Sequence, residues 1–322
     1  MTWYRGCEAF VQELVPLAGM TTYRVGGPAE YFATPPDTSA LGELLARAAQ
    51  ENLPIHLLGH GSNLLVSDTG VKGVVVSLSR CGFGFLNIES SIGTIGLHDS
   101  GLKIKVGARH SLPALVKWSV SQGFTGLECL QGVPGTVGAA LRMNAGGKYG
   151  EICKAVRRVR GFLYDGNPFD WSADECDFVY RNSGLSGRIV TECELELAQG
   201  DPEQSKKLMA QILHEKCASQ PVNARSAGCV FKNPKQSGIA PAGKLIDQLG
   251  LKNMRVGGAV VSKLHANFLI CEGGAAASDL SRLVRTIRQR VLDAYGIMLE
   301  MEVEVWGMAA DELLPPNFTQ AA

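Results

Sequence analysis

Apolar residues recur every three or four positions in four stretches of the chain, which is the spacing of one face of an amphipathic helix. These stretches cover residues 37–52, 111–122, 201 onward and 278–295. Ser111 is a typical helix-capping residue, Gly123 marks a helix end, and Gly296 stands where a helix would end in a left-handed conformation. The pattern therefore predicts four helices.

Short runs rich in β-branched residues and bounded by glycine lie between these stretches and predict strands. They cover residues 55–58, 73–78, 102–106, 189–197, 258–261, 267–270 and 303–306. Strands outnumber helices between residues 55 and 200, which disfavours a regular βαβαβ order and favours an α+β fold. The polar residues 198–203 predict a linker into a C-terminal domain, and the residues after Gly307 predict a surface tail.

Composition excludes several classes of protein. The 322 residues include 31 Lys+Arg and 31 Asp+Glu, so no basic excess indicates nucleic-acid binding. No apolar run is long enough for a membrane span, and the first residues lack a signal-peptide pattern. We expect a cytoplasmic protein of two or three domains, monomeric, without a nucleic-acid or membrane partner.

The cysteines form no metal motif, and three other apparent motifs, for a metal, a phosphate and an anion, are weak. The nine cysteines are scattered singly, without a CxxC pair, and are expected to be reduced. His56 and His60 have a metal-ligand spacing, but the surrounding glycines favour a loop, so no metal is expected. The segment from Gly238 to Lys244 resembles a phosphate loop, yet Leu245 replaces its Ser/Thr. Four arginines between residues 282 and 290 are interpreted as the solvated side of the last helix.

Two glycine clusters point to phosphate binding. The segment from Leu58 to Val66 contains Gly59-His-Gly-Ser-Asn63 after an apolar strand, so successive backbone N–H groups can surround an anion. The segment from Gln131 to Ala140 places Gly132, Gly135 and Gly138 at three-residue spacing, which suits close approach of a flat or phosphorylated ligand. Asn144 can add amide contacts to a polar ring. Together the clusters predict one extended cofactor bound by two subdomains.

The order of four motifs resembles one enzyme family. They are Thr21-Thr-Tyr-Arg-Val-Gly-Gly-Pro28, Gly59-His-Gly-Ser-Asn-Leu-Leu-Val66, Gly132-Val-Pro-Gly-Thr-Val-Gly138 with Met143-Asn-Ala-Gly146, and Ser226-Ala-Gly-Cys-Val-Phe-Lys-Asn-Pro234. In this order they are similar to the UDP-N-acetylenolpyruvoylglucosamine reductases, flavoenzymes of peptidoglycan synthesis. The similarity extends from about residue 20 to Gly307.

The resemblance implies a two-subdomain FAD-binding fold of the vanillyl-alcohol oxidase/PCMH type, followed by a C-terminal α+β substrate-binding domain. The predicted bounds are residues 1–79 for the first subdomain, completed by 303–322, then 80–200 for the second and 201–302 for the substrate domain. The short path from Arg181 to the Ser226 motif is similar to the compact type II members of the family.

Family membership would imply a defined reaction. NADPH reduces bound FAD, and the flavin then passes hydride to UDP-N-acetylglucosamine enolpyruvate, giving UDP-N-acetylmuramate. The resemblance assigns proton donation to Ser226, carboxylate binding to Arg181 and a further catalytic role to Glu302. Glu300 and Glu304 lie on the same strand face, so only the family match singles out Glu302.

Ligand contacts follow from the same motifs. The FAD contacts are expected at Gly59, His60, Gly61, Ser62, Asn63, Leu64, Gly132, Val133, Pro134, Gly135, Thr136, Gly138, Asn144, Ala145 and Gly146. The substrate contacts are expected at Tyr180, Lys232, Asn233, Lys252, His265 and Asn267. Lys232 can either assist proton transfer or bind the diphosphate.

One departure and two alternatives remain. The family's aromatic residue after Gly146 is displaced by one position, to Tyr149 after Lys148, which affects a local contact and not the fold. An oxidase of the same flavin fold and a non-catalytic flavin-binding module are the competing functions. The Ser226 motif argues against the first, and the intact set of Arg181, Ser226 and Glu302 argues against the second.

Overall fold

The structure, a computed structural model, describes residues 2–92 and 101–315. Its α-helices are α1 (Thr38–Gln50), α2 (Arg80–Phe83), α3 (Leu112–Ser121), α4 (Val137–Arg142), α5 (Pro202–Ser219), α6 (Ala242–Gln248) and α7 (Ala277–Tyr295). Its strands are β1 (Val11–Pro16), β2 (Pro28–Ala33), β3 (Ile55–Leu57), β4 (Leu64–Val66), β5 (Val71–Val76), β6 (Leu86–Ile92), β7 (Gly101–Gly107), β8 (Phe124–Thr125), β9 (Gly146–Gly147), β10 (Gly150–Glu151), β11 (Val156–Leu163), β12 (Pro168–Ser172), β13 (Arg188–Gln199), β14 (Arg255–Val256), β15 (Ala259–Val261), β16 (Leu269–Cys271) and β17 (Glu304–Trp306).

All four predicted helices are confirmed, as α1, α3, α5 and α7, and side-chain or glycine caps explain three of their ends. Asp37 accepts a hydrogen bond from the Ala40 N–H at the start of α1 (2.9 Å), and Ser111 caps α3. Gly296 ends α7 in the left-handed conformation, with φ of 68°. The short helices α4 and α6 were not predicted, because six or seven residues give too little periodicity.

Each predicted strand is present, with bounds that differ by a few residues. The largest sheet has the order β12-β11-β13-β7-β6, with β8 paired to β13, and its neighbouring strands are antiparallel. A second sheet has the order β1-β2-β5-β3, in which β3 and β5 are parallel. This mixture of antiparallel sheets and segregated helices confirms the α+β class.

The chain divides into two compact units, each built from separated segments. Unit 1 comprises residues 1–13, 31–60 and 73–216, and unit 2 comprises residues 14–30, 61–72 and 217–322. α5 belongs almost entirely to unit 1, and the predicted bounds of the two FAD-binding subdomains and the substrate domain stay a prediction. Buried Ser205 of α5 donates a hydrogen bond to Glu128 (2.5 Å), which ties the helix to the rest of unit 1.

Each unit has its own hydrophobic core. The core of unit 1 gathers residues of α1, α3, β5, β7, β11 and β13. The core of unit 2 packs α6 and α7 against the sheet β14-β15-β16 and includes Tyr23, Val25 and Leu65 from the early segments. In unit 2 the strands β17 and β4 also pair in parallel, so the end of the chain is joined to the segment that follows Gly61.

One prediction for the C-terminal region is correct in part, and another is wrong at one residue. Residues 309–312 are exposed, as expected of a surface tail, but Leu313 is buried and its carbonyl accepts a hydrogen bond from Arg288 (3.0 Å). Arg288 itself is buried, 8% exposed, and does not belong to a solvated stripe. It also donates from Nε to the Leu299 carbonyl (2.9 Å). The predicted tail residues 316–322 lie outside the described residues.

The remaining compositional predictions concern thiols, metals and membranes. All nine cysteines are free thiols. Within residues 2–92 and 101–315, no group of three or more His, Cys, Asp or Glu side chains could hold a metal ion. In the same ranges, no helix is both long enough and apolar enough to cross a membrane.

Candidate active site

Gly59, which lies in the part of the first glycine segment that belongs to unit 1, packs against the second glycine segment. A Cβ at Gly59 would meet Thr136 Oγ1 at 3.3 Å and Ala139 Cβ at 3.7 Å. Thr136 caps α4 by accepting a hydrogen bond from the Ala139 N–H (3.3 Å). The end of β3 therefore lies beside the first turn of α4, and the absence of a side chain at Gly59 permits this close packing.

A third segment, at the end of β7, completes this region of unit 1. The Gly138 N–H donates to the Ala108 carbonyl (2.9 Å), and the Val137 N–H donates to the His110 carbonyl (3.0 Å). A Cβ at Gly138 would approach the Ala108 Cβ to 2.9 Å, so only glycine allows this contact. Gly132 and Gly135 take positive φ angles of 72° and 117°, which L-residues rarely adopt. The glycine spacing thus serves close backbone packing, and the ligand approach expected there stays a prediction.

Asn144 has a structural role inside unit 1. Its side chain is buried, and its amide donates to Glu151 Oε2 (2.9 Å) and to the Val179 carbonyl (3.2 Å). Its Oδ1 accepts from the Cys153 N–H (3.4 Å). Both ends of the amide are used inside unit 1, so Asn144 holds the neighbouring backbone in place. The flavin contact assigned to its side chain stays a prediction.

Arg181 lies in a cationic part of unit 1. Its guanidinium donates from Nη1 to the Gly146 carbonyl (2.8 Å) and lies 5.6 Å from the ring centroid of Tyr180, which is half exposed. Arg181 adopts a left-handed backbone with φ of 54°, an uncommon conformation that fixes where its side chain starts. Partial burial, and then the charge of Arg181, lowers the pKa of the Lys216 ammonium. Lys216 was missed by the sequence analysis.

The displaced aromatic residue has a defined partner. Tyr149 donates its hydroxyl hydrogen bond to Glu215 (2.7 Å), and Lys148 forms an ion pair with the same carboxylate (2.5 Å). Glu215 belongs to α5, so the hairpin β9–β10 is fastened to that helix. The displaced aromatic residue, Tyr149, and the preceding Lys148 therefore both contact Glu215 of α5 in this chain.

In unit 2, the polar loop that ends in β4 is joined to the segment bearing Glu302. Asn63 donates from its amide to the Glu302 carbonyl (3.0 Å), and the Glu304 N–H donates to the Asn63 carbonyl (3.0 Å). Gly61 has φ of 62°, and a Cβ there would lie 2.2 Å from the Met20 carbonyl oxygen. Its contact with the residue-20 segment is therefore possible only without a side chain.

A pocket of about 290 Å³ in unit 2 brings together four of the predicted substrate residues. These four are Asn233, Lys252, His265 and Asn267, and Lys244 and Asp247 of α6 also line the pocket. Burial, and then the charge of Lys252, lowers the pKa of the His265 imidazole, which favours its neutral form. Lys232 does not line this pocket; its Nζ lies 3.6 Å from the Glu300 carboxylate.

Two asparagines of the pocket also organise its walls. Asn267, 3% exposed, accepts from the Phe231 N–H (3.0 Å) and donates to the Phe231 carbonyl (2.8 Å). Asn233 accepts at Oδ1 from the Ala242 N–H at the start of α6 (3.1 Å). The Asn267 side chain therefore pairs with both backbone groups of Phe231, as a neighbouring strand would. This pairing holds residues 229–233 against the residues that precede β16.

The pocket is lined by Cys229 and not by Ser226. Both belong to the Ser226–Pro234 motif, but the Ser226 N–H closes a turn onto the Ala224 carbonyl (2.9 Å), whereas Cys229 forms a β-bridge with Phe268. Among the described residues, Cys229 is the one thiol in the pocket wall. The motif alone did not indicate Cys229, because the family resemblance assigns the proton donor to Ser226, the first residue of the motif.

The three glutamates near the C-terminus differ in their partners. Glu300 pairs with Lys232, and Glu304 accepts a hydrogen bond from the Trp306 indole N–H (3.0 Å). The Glu302 backbone N–H donates to the Val230 carbonyl (2.8 Å), directly after Cys229 in the chain. The backbones of Glu302 and of the pocket segment are therefore hydrogen-bonded neighbours within unit 2. The alternation of residues along the strand did not indicate this contact.

Two family models match this chain. One, an FAD binding domain, matches residues 29–171, and the other, the C-terminal domain of UDP-N-acetylenolpyruvoylglucosamine reductase, matches residues 220–306. The reductase of Synechococcus sp. (strain WH7803) is 38% identical over 303 residues, which cover 92% of this chain and 93% of the relative. The chain belongs to the UDP-N-acetylenolpyruvoylglucosamine reductase family.

Further members of this reductase family agree along nearly the whole length. The Moorella thermoacetica reductase is 40% identical over 294 residues, covering 91% of this chain and 92% of the relative. The crystal structure of the Thermus caldophilus reductase is 38% identical, covers 92% of this chain and 100% of that one, and has a TM-score of 0.74. Three predictions are therefore confirmed: the FAD-binding fold with a C-terminal domain, the FAD-dependent oxidoreductase activity, and FAD as the cofactor.

Proposed function

We propose that this enzyme reduces the enolpyruvyl group of UDP-N-acetylglucosamine enolpyruvate to give UDP-N-acetylmuramate for peptidoglycan synthesis, with NADPH as the electron source. The observation that supports this substrate most directly is the unit 2 pocket, where Asn233, Lys252, His265 and Asn267 converge within the matched C-terminal domain. The proposal includes a cytoplasmic location, since both nucleotide substrates are cytoplasmic metabolites.

The glycine segments around Gly59 and Gly135 would hold FAD, which would supply the hydride chemistry between NADPH and the enolpyruvyl carbon. The protein must then stabilise the negative charge that develops on the substrate carboxylate. Arg181 fits this role because a planar guanidinium can pair with both carboxylate oxygens, and the nearby charge of Lys216 adds to the positive potential. Removal of such a donor typically raises the barrier by about 3–4 kcal/mol.

A proton must also reach the neighbouring substrate carbon. Ser226 and Cys229 are the two candidate donors on the same motif, and the lining of the pocket favours Cys229. The chemistry agrees, because a thiol with an ordinary pKa of about 8.5 is a much stronger acid than a serine hydroxyl. Glu302 is included in the proposed site because its backbone N–H donates a hydrogen bond to the carbonyl of Val230, the residue after Cys229.

Anaerobic two-stage mixing tests the reaction. NADPH is added first to the yellow protein, and UDP-N-acetylglucosamine enolpyruvate follows while the flavin absorbance is recorded. We expect bleaching by NADPH and recovery with the enolpyruvyl sugar. Recovery only after oxygen is admitted would contradict the proposed substrate and would favour an oxidase.

The same experiment separates the two proton donors. We expect Cys229→Ala to keep the NADPH half-reaction and to slow flavin reoxidation by substrate about 10²–10⁴-fold, which is the usual contribution of a general acid. Ser226→Ala is the matched control and should reoxidise at the rate of the wild type. The reverse result would assign the proton to Ser226.

A further inference from the structure

Three basic side chains of unit 1 are grouped beside the glycine segments. His60 follows Gly59 at the end of β3, Arg80 begins α2, and Arg109 follows β7. The Arg109 N–H donates to the Phe83 carbonyl at the end of α2 (2.8 Å), while the residues on either side of Arg109 bond to the first turn of α4. The backbone therefore holds Arg109 between the helix that carries Arg80 and the loop that contains Gly135.

These charges influence one another. Partial desolvation, and then the charge of Arg80, lowers the pKa of the Arg109 guanidinium. Desolvation, followed by the charges of Arg109 and Arg80, lowers the pKa of the His60 imidazole. Like charges at close range oppose folding unless an anion offsets them. Within the described parts of the chain, Arg80 and Arg109 take part in no ion pair with a carboxylate.

Arg109 also has a donor that the protein does not use. Its Nε is buried, and the described residues provide it with no hydrogen-bond acceptor. A buried guanidinium N–H without an acceptor is costly, so this position is suited to a ligand that brings acceptor oxygens. Arg80 and His60 are exposed, so the group is open to such a ligand.

We propose that Arg109, assisted by Arg80, binds the diphosphate of FAD. The diphosphate is the anionic part of FAD, and its oxygens accept charge-assisted hydrogen bonds from guanidinium groups. Gly59, which precedes His60, and the first turn of α4, whose Val137 N–H donates to the His110 carbonyl (3.0 Å), border this group of cations. This inference goes beyond the proposed function, because it concerns the cofactor and does not depend on the substrate or on NADPH.

Titration of flavin-free protein with FAD and with riboflavin tests the proposal, because riboflavin has the same ring without the diphosphate. Quenching of flavin fluorescence gives both dissociation constants. We expect Arg109→Met to weaken FAD binding about 10- to 100-fold and to leave riboflavin binding unchanged. Its FAD affinity should also fall less steeply with NaCl than that of the wild type. Arg290→Met, at an exposed position on α7, removes the same charge elsewhere and should change neither constant.

Other outcomes would overturn the proposal. Equal losses for FAD and riboflavin would mean that Arg109 supports the flavin ring or the fold, and unchanged FAD binding with weaker NADPH binding would assign the cations to the nicotinamide nucleotide. If Arg109→Met loses its near-UV circular dichroism, Arg80→Met provides the same comparison at an exposed site and should weaken FAD binding alone. A wild type that binds FAD but does not reduce the enolpyruvyl sugar would contradict the proposed function and leave this inference standing.

Discussion

Arg288 is a charged residue that holds the backbone on either side of β17. It donates to the carbonyl of Leu299, three residues before Glu302, and to that of Leu313 after the strand. Burial lowers the pKa of its guanidinium, and the two carbonyls compensate by accepting charge-assisted hydrogen bonds. The helical pattern marked this position as charged, but it could not indicate that the chain end returns to cover it.

We expect Arg288→Met to lower the free energy of unfolding by about 1–3 kcal/mol, because two carbonyls lose their partner. Urea denaturation followed by circular dichroism measures this change. Arg290→Met, at an exposed position of the same helix, is the control and should remain within about 0.5 kcal/mol of the wild type. Equal stability of the two variants would mean that Arg288 contributes nothing through these bonds.

The residue scale also shows where family motifs give an incomplete site. The sequence order of the motifs led to Arg181, Glu302 and the pocket asparagines, since each lies in a recognisable segment. Cys229 and Lys216 were missed, because only three-dimensional contacts place one in a pocket wall and the other near Arg181. Arg109 gave no signal in the sequence, because it stands alone after a strand.

At the scale of elements, the contact between α4 and the end of β7 depends on glycine. The close approach of Gly138 to buried Ala108 leaves no room for a methyl group, and Ala108 is held by its hydrogen bonds to Gly138 and Thr191. A substitution there must move α4, whose first turn belongs to the predicted FAD contacts. The effect should therefore be seen in the cofactor as well as in stability.

We expect Gly138→Ala to be purified with less FAD per chain than the wild type, measured as the ratio of absorbance at 450 nm to that at 280 nm. Gly147→Ala is the matched control, because a Cβ at Gly147 meets no atom within 4 Å. Full flavin content in Gly138→Ala would show that α4 can shift without affecting the cofactor.

The long helices were predicted well, but length did not decide which strands were predicted, since the eight-residue β11 was missed and the three-residue β3 was found. Helices α1, α3, α5 and α7 have ten or more residues, so their apolar faces repeat often enough to be recognised. Short strands such as β8, β9, β10 and β14 have only two residues each, and tertiary pairing rather than local preference creates them. The α+β class followed from the helices and strands that were recognised, without these two-residue strands.

At the scale of the whole molecule, the nine free thiols differ strongly in accessibility. Cys81 and Cys217 are exposed, whereas Cys7, Cys176, Cys193 and Cys271 are buried. Burial raises the pKa of the Cys176 thiol to about 11 and that of Cys271 to about 12, so their reactive thiolate forms are scarce at neutral pH.

We therefore expect an aromatic disulfide reagent at pH 8 to modify two thiols per chain rapidly and to reach all nine only in denaturant. Cys81→Ser and Cys217→Ser should each remove one equivalent from the fast phase. Rapid modification of four or more thiols in the native protein would contradict the burial seen here.

Unit 2 is made of three chain segments, and this affects the order in which the protein can be completed during synthesis. Tyr23, Val25 and Leu65 belong to its core, but their partners on α6 and α7 come after residue 241. At about 5–20 residues per second, the ribosome needs roughly 7–30 s to pass from residue 72 to residue 217. For that time the apolar side chains of the early segments have no native partners. The core of unit 2 must therefore close late, after most of unit 1 has been made.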